Sequence, residues 1–265
     1  MFVLLPPSEA KRSDDGLRRR VAATAEFTPL PELAPTREAI LAAVAKLCDR
    51  GEIAAATALS LPAGERAEAC RRNAGVLDAP LLPALDRYSG VVYQGFDSGS
   101  LTKASRRVAE RSVLIFSGGF GVVRGGEGIP WYRIPASARL PELGAVTAIW
   151  RPVLAGVVPS LIGDEFAVDL RSTDYRAIWR PTRATADRVV AVRVLQRREA
   201  ARGQAVEQVV SYHSKLLKGR LARALVDAAT RRRRIDSADD VAAIAVRLGL
   251  AVRPTADGLD LVDAG

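Results

Sequence analysis

The chain opens on four apolar residues, Phe2 to Leu5, which Pro6-Pro7 cuts off; a short apolar run bounded by breakers predicts a buried strand. The polar stretch Ser8 to Arg20, containing Asp14-Asp15-Gly16, and then Pro29 and Pro31, predicts a loop. Beyond Pro35-Thr36, apolar positions recur at Ile40, Leu41, Val44 and Leu47, the spacing of one helix face. Two more helices are expected, over Ala54 to Leu59 and from near Gly64 to Ala74. Leu85 to Gln94 gathers Tyr88, Val91, Val92 and Tyr93 and predicts a strand or a tight packing segment. Leu101 to Glu110 has the pattern of a basic amphipathic helix, and Val113 to Phe116 that of an apolar strand.

Glycines come next, in Ser117-Gly118-Gly119-Phe120-Gly121 and in Gly125-Gly126-Glu127-Gly128. Gly144 to Val158 is helical in pattern, carries Trp150, and is expected to break at Pro152. Phe166 to Leu170 predicts a strand, followed by a helix that Ser172 or Thr173 can cap and that holds Tyr175 and Trp179. Arg188 to Leu195 alternates as a strand does, with Val206 to Tyr212 as its hairpin partner. A basic helix over Lys215 to Ala229 leads into the charge run Arg231 to Arg234. Ser237 and Asp240 mark the start of a last helix that runs to about Leu248 and stops at Gly249. Asp257-Gly258 between short apolar runs predicts a terminal hairpin. With no repeat and no shift in composition, the expectation is one compact α+β domain over residues 1–265, a mixed β-sheet flanked by helices.

Charge narrows the partners. The 39 basic and 30 acidic residues leave a net charge of +9, which concentrates anions at the surface. Only Lys11, Lys46, Lys103, Lys215 and Lys218 are lysines, so arginine, whose planar fork suits phosphate, supplies 34 cations. Codon bias toward Arg and Ala would give the same excess without any function. Cys48 and Cys70 lie in helical stretches and read as packing residues of a reducing compartment. One histidine and two distant cysteines do not assemble a Cys/His zinc site, and no metal or other cofactor is expected. No signal-like or membrane-spanning apolar run is present, so a cytoplasmic protein with no membrane partner is expected, as a monomer.

Four constellations could carry chemistry. Ser8, Glu9 and Lys11 follow the first strand, where sheet proteins place ligands; Ser8 and Lys11 could hold phosphate and Glu9 could act as acid or base, or the segment could be a solvated loop. Ser117 to Gly121, with Arg124 beyond, could turn main-chain N–H groups toward an anion; it lacks the Gly-Lys-Ser/Thr of a P-loop, and Gly-Phe-Gly is also similar to the turn of a helix-hairpin-helix. Arg171 and Ser172 stand where a strand gives way to a helix N-terminus, an anion site or simply a cap. Lys215, Lys218 and Gly219 follow His213, and a single His does not establish a catalytic triad.

Six segments in this order resemble the bacterial YaaA family of peroxide-stress proteins: PPSEAK at 6–11, RNAGVLDAP at 72–80, YSGVVYQGFD at 88–97, FSGGFGVVRGGEGIPWYR at 116–133, DLRSTDYRAIWRP at 169–181 and SYHSKLLKG at 211–219. The resemblance implies a positively charged cleft, a helix-hairpin-helix-like element, binding to duplex or distorted DNA, and protection from iron-driven damage. By position it marks Ser8, Lys11, Tyr88, Gly90, Ser117, Gly121, Arg124, Pro130, Tyr132, Arg133, Arg171, Ser172, Tyr175, Lys215 and Gly219. Ala10 stands where the family commonly has glycine and Lys218 where it has arginine, and the extra glycines of 118–128 are expected to loosen that loop.

Two functions follow. One is a DNA-binding stress protein holding the phosphate backbone in a basic cleft, with Ser8, Lys11, Ser117, Gly121, Arg124, Arg133, Arg171, Ser172, Lys215 and Lys218 as contacts. The other is an enzyme on a nucleoside, nucleotide or nucleobase, with Glu9 as acid/base, Tyr132 stacking on a base, and the cations holding the anionic group. Convergence on a deep pocket favours the enzyme, and spread along an open groove favours binding alone. Direct iron handling is disfavoured, because the ligand inventory leaves only carboxylates.

Overall fold

In the computed structural model, which describes residues 1–13, 30–199, 205–208 and 211–263, the opening run forms strand β1 (Phe2–Leu5), with Val3, Leu4 and Leu5 fully buried. A strand buried on both faces belongs inside a covered sheet. Helices α1 (Ala34–Asp49), α2 (Glu52–Ala58) and α3 (Arg66–Ala74) come next, then β2 (Leu82–Pro83), α4 (Ala84–Arg87), α5 (Val91–Phe96) and α6 (Lys103–Ser112). The chain re-enters the sheet at β3 (Val113–Ser117) and turns back in β4 (Gly121–Arg124). Short strands β5 (Gly128–Ile129), β6 (Arg139–Leu140) and β7 (Gly144–Ala145) precede α7 (Val146–Ile162). The remainder is β8 (Ala167–Asp169), α8 (Thr173–Arg176), β9 (Val189–Glu199), β10 (Ala205–Gln208), α9 (Ser211–Thr230), α10 (Ala238–Arg247), β11 (Ala251–Thr255) and β12 (Gly258–Asp263).

The sheet runs β11-β12-β9-β8-β1-β3-β4, with β10 paired to β9. Strands β3, β1, β8, β9 and β12 are parallel, and β4, β10 and β11 are antiparallel additions. From β1 the chain returns to the sheet at β3, on one side; from β8 it returns at β9, on the other. Connections that leave in opposite directions open a crevice at the carboxyl ends of the two strands between them, here β1 and β8.

Helices α5 and α9 cross closely. A Cβ on Gly95 would lie 2.2 Å from the Leu216 carbonyl oxygen, and one on Gly219 2.0 Å from that of Val92. This approach fixes the basic face of α9 beside the crevice.

Several elements differ from the sequence pattern. Residues 85–94 are two short helices rather than a strand: Val92, Tyr93 and Phe96 are buried at helical spacing, and Asp97, with φ at 50°, ends α5. Helix α7 runs unbroken through Pro152 and Pro159, held by buried Trp150, Leu154 and Val158 one turn apart. α8 ends at Arg176, so Trp179 lies beyond it, stacked on Phe116 at 6.1 Å. Tyr212 belongs to α9, not to the strand opposite β9. The loop expected over Ser8 to Arg20 lies, from residue 14 on, outside the described residues. The 118–128 glycines tighten their loop: a Cβ on Gly125 would meet Leu85 at 2.7 Å. The loop's Glu127 is buried against Arg37 (2.7 Å), whose other nitrogens donate to the carbonyls of Phe120 and Val122.

Candidate functional site

The crevice is a cleft of about 620 Å³. Residues 6–11 after β1 form one wall and residues 170–176 after β8 another; residues 132–135, Arg193 and Val194 of β9, and Ser214, Lys215 and Lys218 of α9 complete it. Seven Lys and Arg residues line it against two acids, Glu9 and Asp174. The sheet's parallel strand ends and the α5–α9 crossing therefore gather charges that lie far apart in sequence.

The 8–12 segment is pinned rather than free. Arg12 N–H donates to the Arg87 carbonyl at 2.8 Å and Ser89 N–H to that of Ala10 at 3.1 Å. Arg87, fully buried, returns bonds to the carbonyls of Arg12 and Pro80, both at 2.8 Å. Ser8 packs so tightly on Gly90 that a Cβ there would sit 2.0 Å from Ser8 Oγ. A loop held this way presents Lys11 at a fixed point.

Lys11 Nζ donates to the Ser8 carbonyl at 2.7 Å and approaches that of Glu9 at 3.4 Å. It stands 4.5 Å from the centre of the Tyr132 ring, with Tyr88 at 5.4 Å and Trp131 at 5.8 Å. Burial lowers its pKa to about 7; Glu9 opposes the shift and Arg133 and Arg87 add to it. Beneath it, Tyr132 Oη shares hydrogen bonds with Tyr88 Oη (2.5 Å) and Ser117 Oγ (2.6 Å), and Ser117 Oγ accepts from Phe120 N–H at 3.1 Å. Burial raises the pKa of both tyrosines well above the usual value, so both stay neutral hydroxyls. One face of Tyr132 is covered by Lys11 and an edge contact with Phe120, at 4.9 Å, covers more of the ring.

The opposite wall rests on Asp169, the last residue of β8. Arg171 closes a fork on it, Nε to Oδ1 and Nη2 to Oδ2 both at 2.9 Å, and Arg176 Nε lies 3.4 Å from Oδ2. Burial pushes the Asp169 pKa up, but Arg171 and Arg176 outweigh it and hold the carboxyl below its ordinary value. Arg171 itself is buried, 4.1 Å from the Phe116 ring centre, so its guanidinium is engaged by the fold. Ser172 takes the N-cap position of α8 without a side-chain cap bond. Lys218 Nζ donates to the Arg171 carbonyl at 3.2 Å; burial and Arg176 lower its pKa to about 8, against a raising effect of Asp169. Lys215 is exposed at the rim.

Of the sequence candidates, Ser8, Glu9, Lys11, Tyr132, Arg133, Arg171, Ser172, Lys215 and Lys218 line this cleft. Ser117 is buried behind Tyr132. Gly121 has φ of 70° and lies under Trp150, where a Cβ would be 2.7 Å from the ring. Arg124 donates to the Arg111 carbonyl at 2.8 Å at the amino end of β3, away from the carboxyl-end crevice. The Gly118–Phe120 turn joins two antiparallel strands, so it is not a helix-hairpin-helix turn. Two helices joined by a short turn do occur at α5 and α6, where Thr102 accepts from Ser105 N–H as the cap. His213 pairs with Asp263 outside the cleft lining, and Ser214 Oγ donates instead to the Val194 carbonyl at 2.8 Å.

Sequence reasoning missed Arg176, Arg193 and the supporting residues. Arg133 pairs with Glu9 and, at 3.3 Å, with Glu65. Asn73 fixes its backbone at both ends, accepting from Arg133 N–H at 2.9 Å and donating to its carbonyl at 3.1 Å. Arg193 pairs with Asp260 at 2.7 Å. All four cleft arginines thus face a carboxylate, while Lys11, Lys215 and Lys218 have none within ion-pair distance among the described residues. The position of Asn73 within RNAGVLDAP was the one signal available for these contacts.

Fold and cleft together define an α+β protein with a lysine-bearing pocket at the switch point of a mostly parallel sheet. A family model for the peroxide stress protein YaaA matches residues 1–252, and the chain belongs to that family, whose role is in peroxide stress. A UPF0246 protein of Streptomyces coelicolor is 40% identical over 230 residues, covering 87% of this chain and 84% of its own length. UPF0246 proteins of Corynebacterium efficiens and Corynebacterium glutamicum are 34% and 32% identical over 257 residues, each covering 95% of this chain and 94% of the relative. Among the described residues, no helix is long and apolar enough to cross a membrane.

Proposed function

We propose that this chain acts in peroxide stress by binding DNA, with the phosphate backbone on the cationic rim and one unstacked nucleotide in the cleft. The observation that carries this is the convergence of Lys11, Lys215 and Lys218, without carboxylate partners among the described residues, on one cleft of about 620 Å³. That volume suits a small organic group and is too small for a duplex. Enzymes that work on a base likewise draw single nucleotides from the stack, most cheaply where pairing is already lost. Bubbled or junction DNA is therefore the preferred form, and phosphate neutralisation dominates the affinity. Phosphate contacts carry no sequence information, so sequence preference is weak.

The convergence of Glu9, Lys11 and Tyr132 on one cleft favours a second reading, catalysis on that nucleotide. Glu9 and Lys11 supply acid and base groups at that cleft, and the Tyr132 ring forms part of its wall.

Fluorescence anisotropy with plain, bubbled and junction DNA across a salt series tests the binding reading. Lys215→Ala is expected to weaken binding to the bubble and to reduce the log–log salt slope by about 0.9 per lost phosphate contact. Neutralising exposed Arg231 and Arg232 serves as the control for bulk charge. Equal affinity for all three DNAs, with equal losses in both variants, would reduce the interaction to net charge.

A further inference from the structure

We infer that Lys11 is an amine nucleophile that captures sugar aldehydes in damaged DNA as a Schiff base; this rests on the DNA-binding reading of the same cleft. The first support is its hydrogen-bond inventory. Nζ has two main-chain oxygens beside it, those of Ser8 and Glu9, and no carboxylate within ion-pair distance among the described residues. A neutral amine has two hydrogens for those oxygens and keeps its lone pair; the aromatic faces attract an ammonium, but with no carboxylate of the described residues beside it burial outweighs that attraction.

The charged groups around it point the same way. Glu9 favours the ammonium, but its carboxylate is engaged by Arg133, and Arg133 and Arg87 oppose the charge. The Tyr88, Tyr93, Tyr132 and Tyr175 hydroxyls nearby are all held neutral by burial. With a pKa near 7, a large fraction of Lys11 carries a free lone pair at neutral pH.

Residue choice is the second support. A chain that uses arginine at 34 of its 39 cationic positions places three of its five lysines in this one cleft. Phosphate holding alone is served as well or better by arginine, which cannot give up its proton; amine chemistry requires lysine.

The aldehyde is identified by its chemistry. Peroxide damage to DNA leaves sugars that have lost their base, and their ring opens to a C1′ aldehyde. Such a site lacks stacking and pairing, so it enters a pocket at the lowest cost. The Nζ lone pair forms a bond to C1′ while the carbonyl π electrons move to oxygen, which takes up the proton released by nitrogen. The carbinolamine then loses its hydroxyl with one proton as water, leaving a C=N bond. No oxidant or reductant is consumed, and water reverses the step.

Borohydride trapping decides it. Wild-type protein is incubated with fluorescein-labelled bubbled DNA carrying one abasic site, made from uracil by uracil-DNA glycosylase, and then with sodium cyanoborohydride. A covalent band is expected, absent with the tetrahydrofuran analogue that has no aldehyde, with the adduct mapped by mass spectrometry to the peptide containing Lys11. Its yield is expected to rise as pH is taken from about 6 to about 8. Lys11→Arg, which removes the amine, should lose the band; Lys103→Arg on exposed α6, outside the cleft, should keep both the band and DNA binding by anisotropy. An adduct on Lys218 or Lys215, or binding without any adduct, overturns the inference and leaves the binding reading standing. Absence of binding by wild type to any bubbled DNA overturns both.

Discussion

Asp169 supports one wall of the cleft through two guanidiniums, and its loss has a calculable sense. Asp169→Asn leaves Arg171 buried without its counter-ion, and removing one partner of a buried pair costs about 3–5 kcal/mol. Because the folded-state pKa lies below the ordinary 3.8, the carboxylate's contribution is full above that value and is lost as pH falls through the folded pKa. Thermal melts from neutral to about pH 3 should show an acid-dependent loss in wild type that Asp169→Asn lacks; parallel acid curves would contradict this. The cysteines give a second residue-scale test. Cys48 and Cys70 are both buried, and burial followed by the neighbouring Cys70 raises the Cys48 pKa to about 12, so at neutral pH Cys48 is a thiol and not a thiolate. Ellman's reagent should react with Cys48 only as fast as the protein unfolds. Rapid native-state reaction would contradict this burial.

At the scale of elements, the α5–α9 crossing is the test of packing. Gly219→Ala drives a Cβ onto the Val92 carbonyl oxygen and should cost about 1–3 kcal/mol in urea unfolding. Gly156→Ala, on the exposed side of α7 with open space around its Cβ, should instead stabilise by about 0.5–1 kcal/mol. Equal effects from the two would contradict the close crossing. Much of the element order was legible in the sequence. The Ser237 cap of α10, the Gly258 hairpin of β11 and β12, and buried β1 all carry local signals that the structure honours. α5 was illegible because Val91, Val92 and Tyr93 favour strands intrinsically, and only packing against α9 makes the segment helical. Pro152 misled for the same reason: tertiary burial of Trp150 and Leu154 outweighs the local break.

On the scale of the whole molecule, the cleft was legible in part. The loops after β1 and β8 could be marked because polar residues followed apolar strands. Which cations lack a carboxylate among the described residues could not, since the partners of Arg133, Arg171 and Arg193 are set by fold contacts: Glu9 and Glu65, the fork on Asp169, and Asp260 on the neighbouring β12. Arg124, marked by sequence beside a glycine loop, is carried by β4 back to the amino end of β3, away from the cleft. What remains is three lysines at one switch point. The central claim is that an unstacked nucleotide enters there, and photo-crosslinking tests it most directly. Bubbled DNA with 5-iodouracil in its unpaired segment is irradiated with the protein, and the crosslinked peptides are identified by mass spectrometry. Crosslinks at Tyr175, Tyr132 or the neighbouring 170–176 and 132–135 segments are predicted. Crosslinks confined to the Arg231–Arg234 surface, or scattered without preference, would contradict the account.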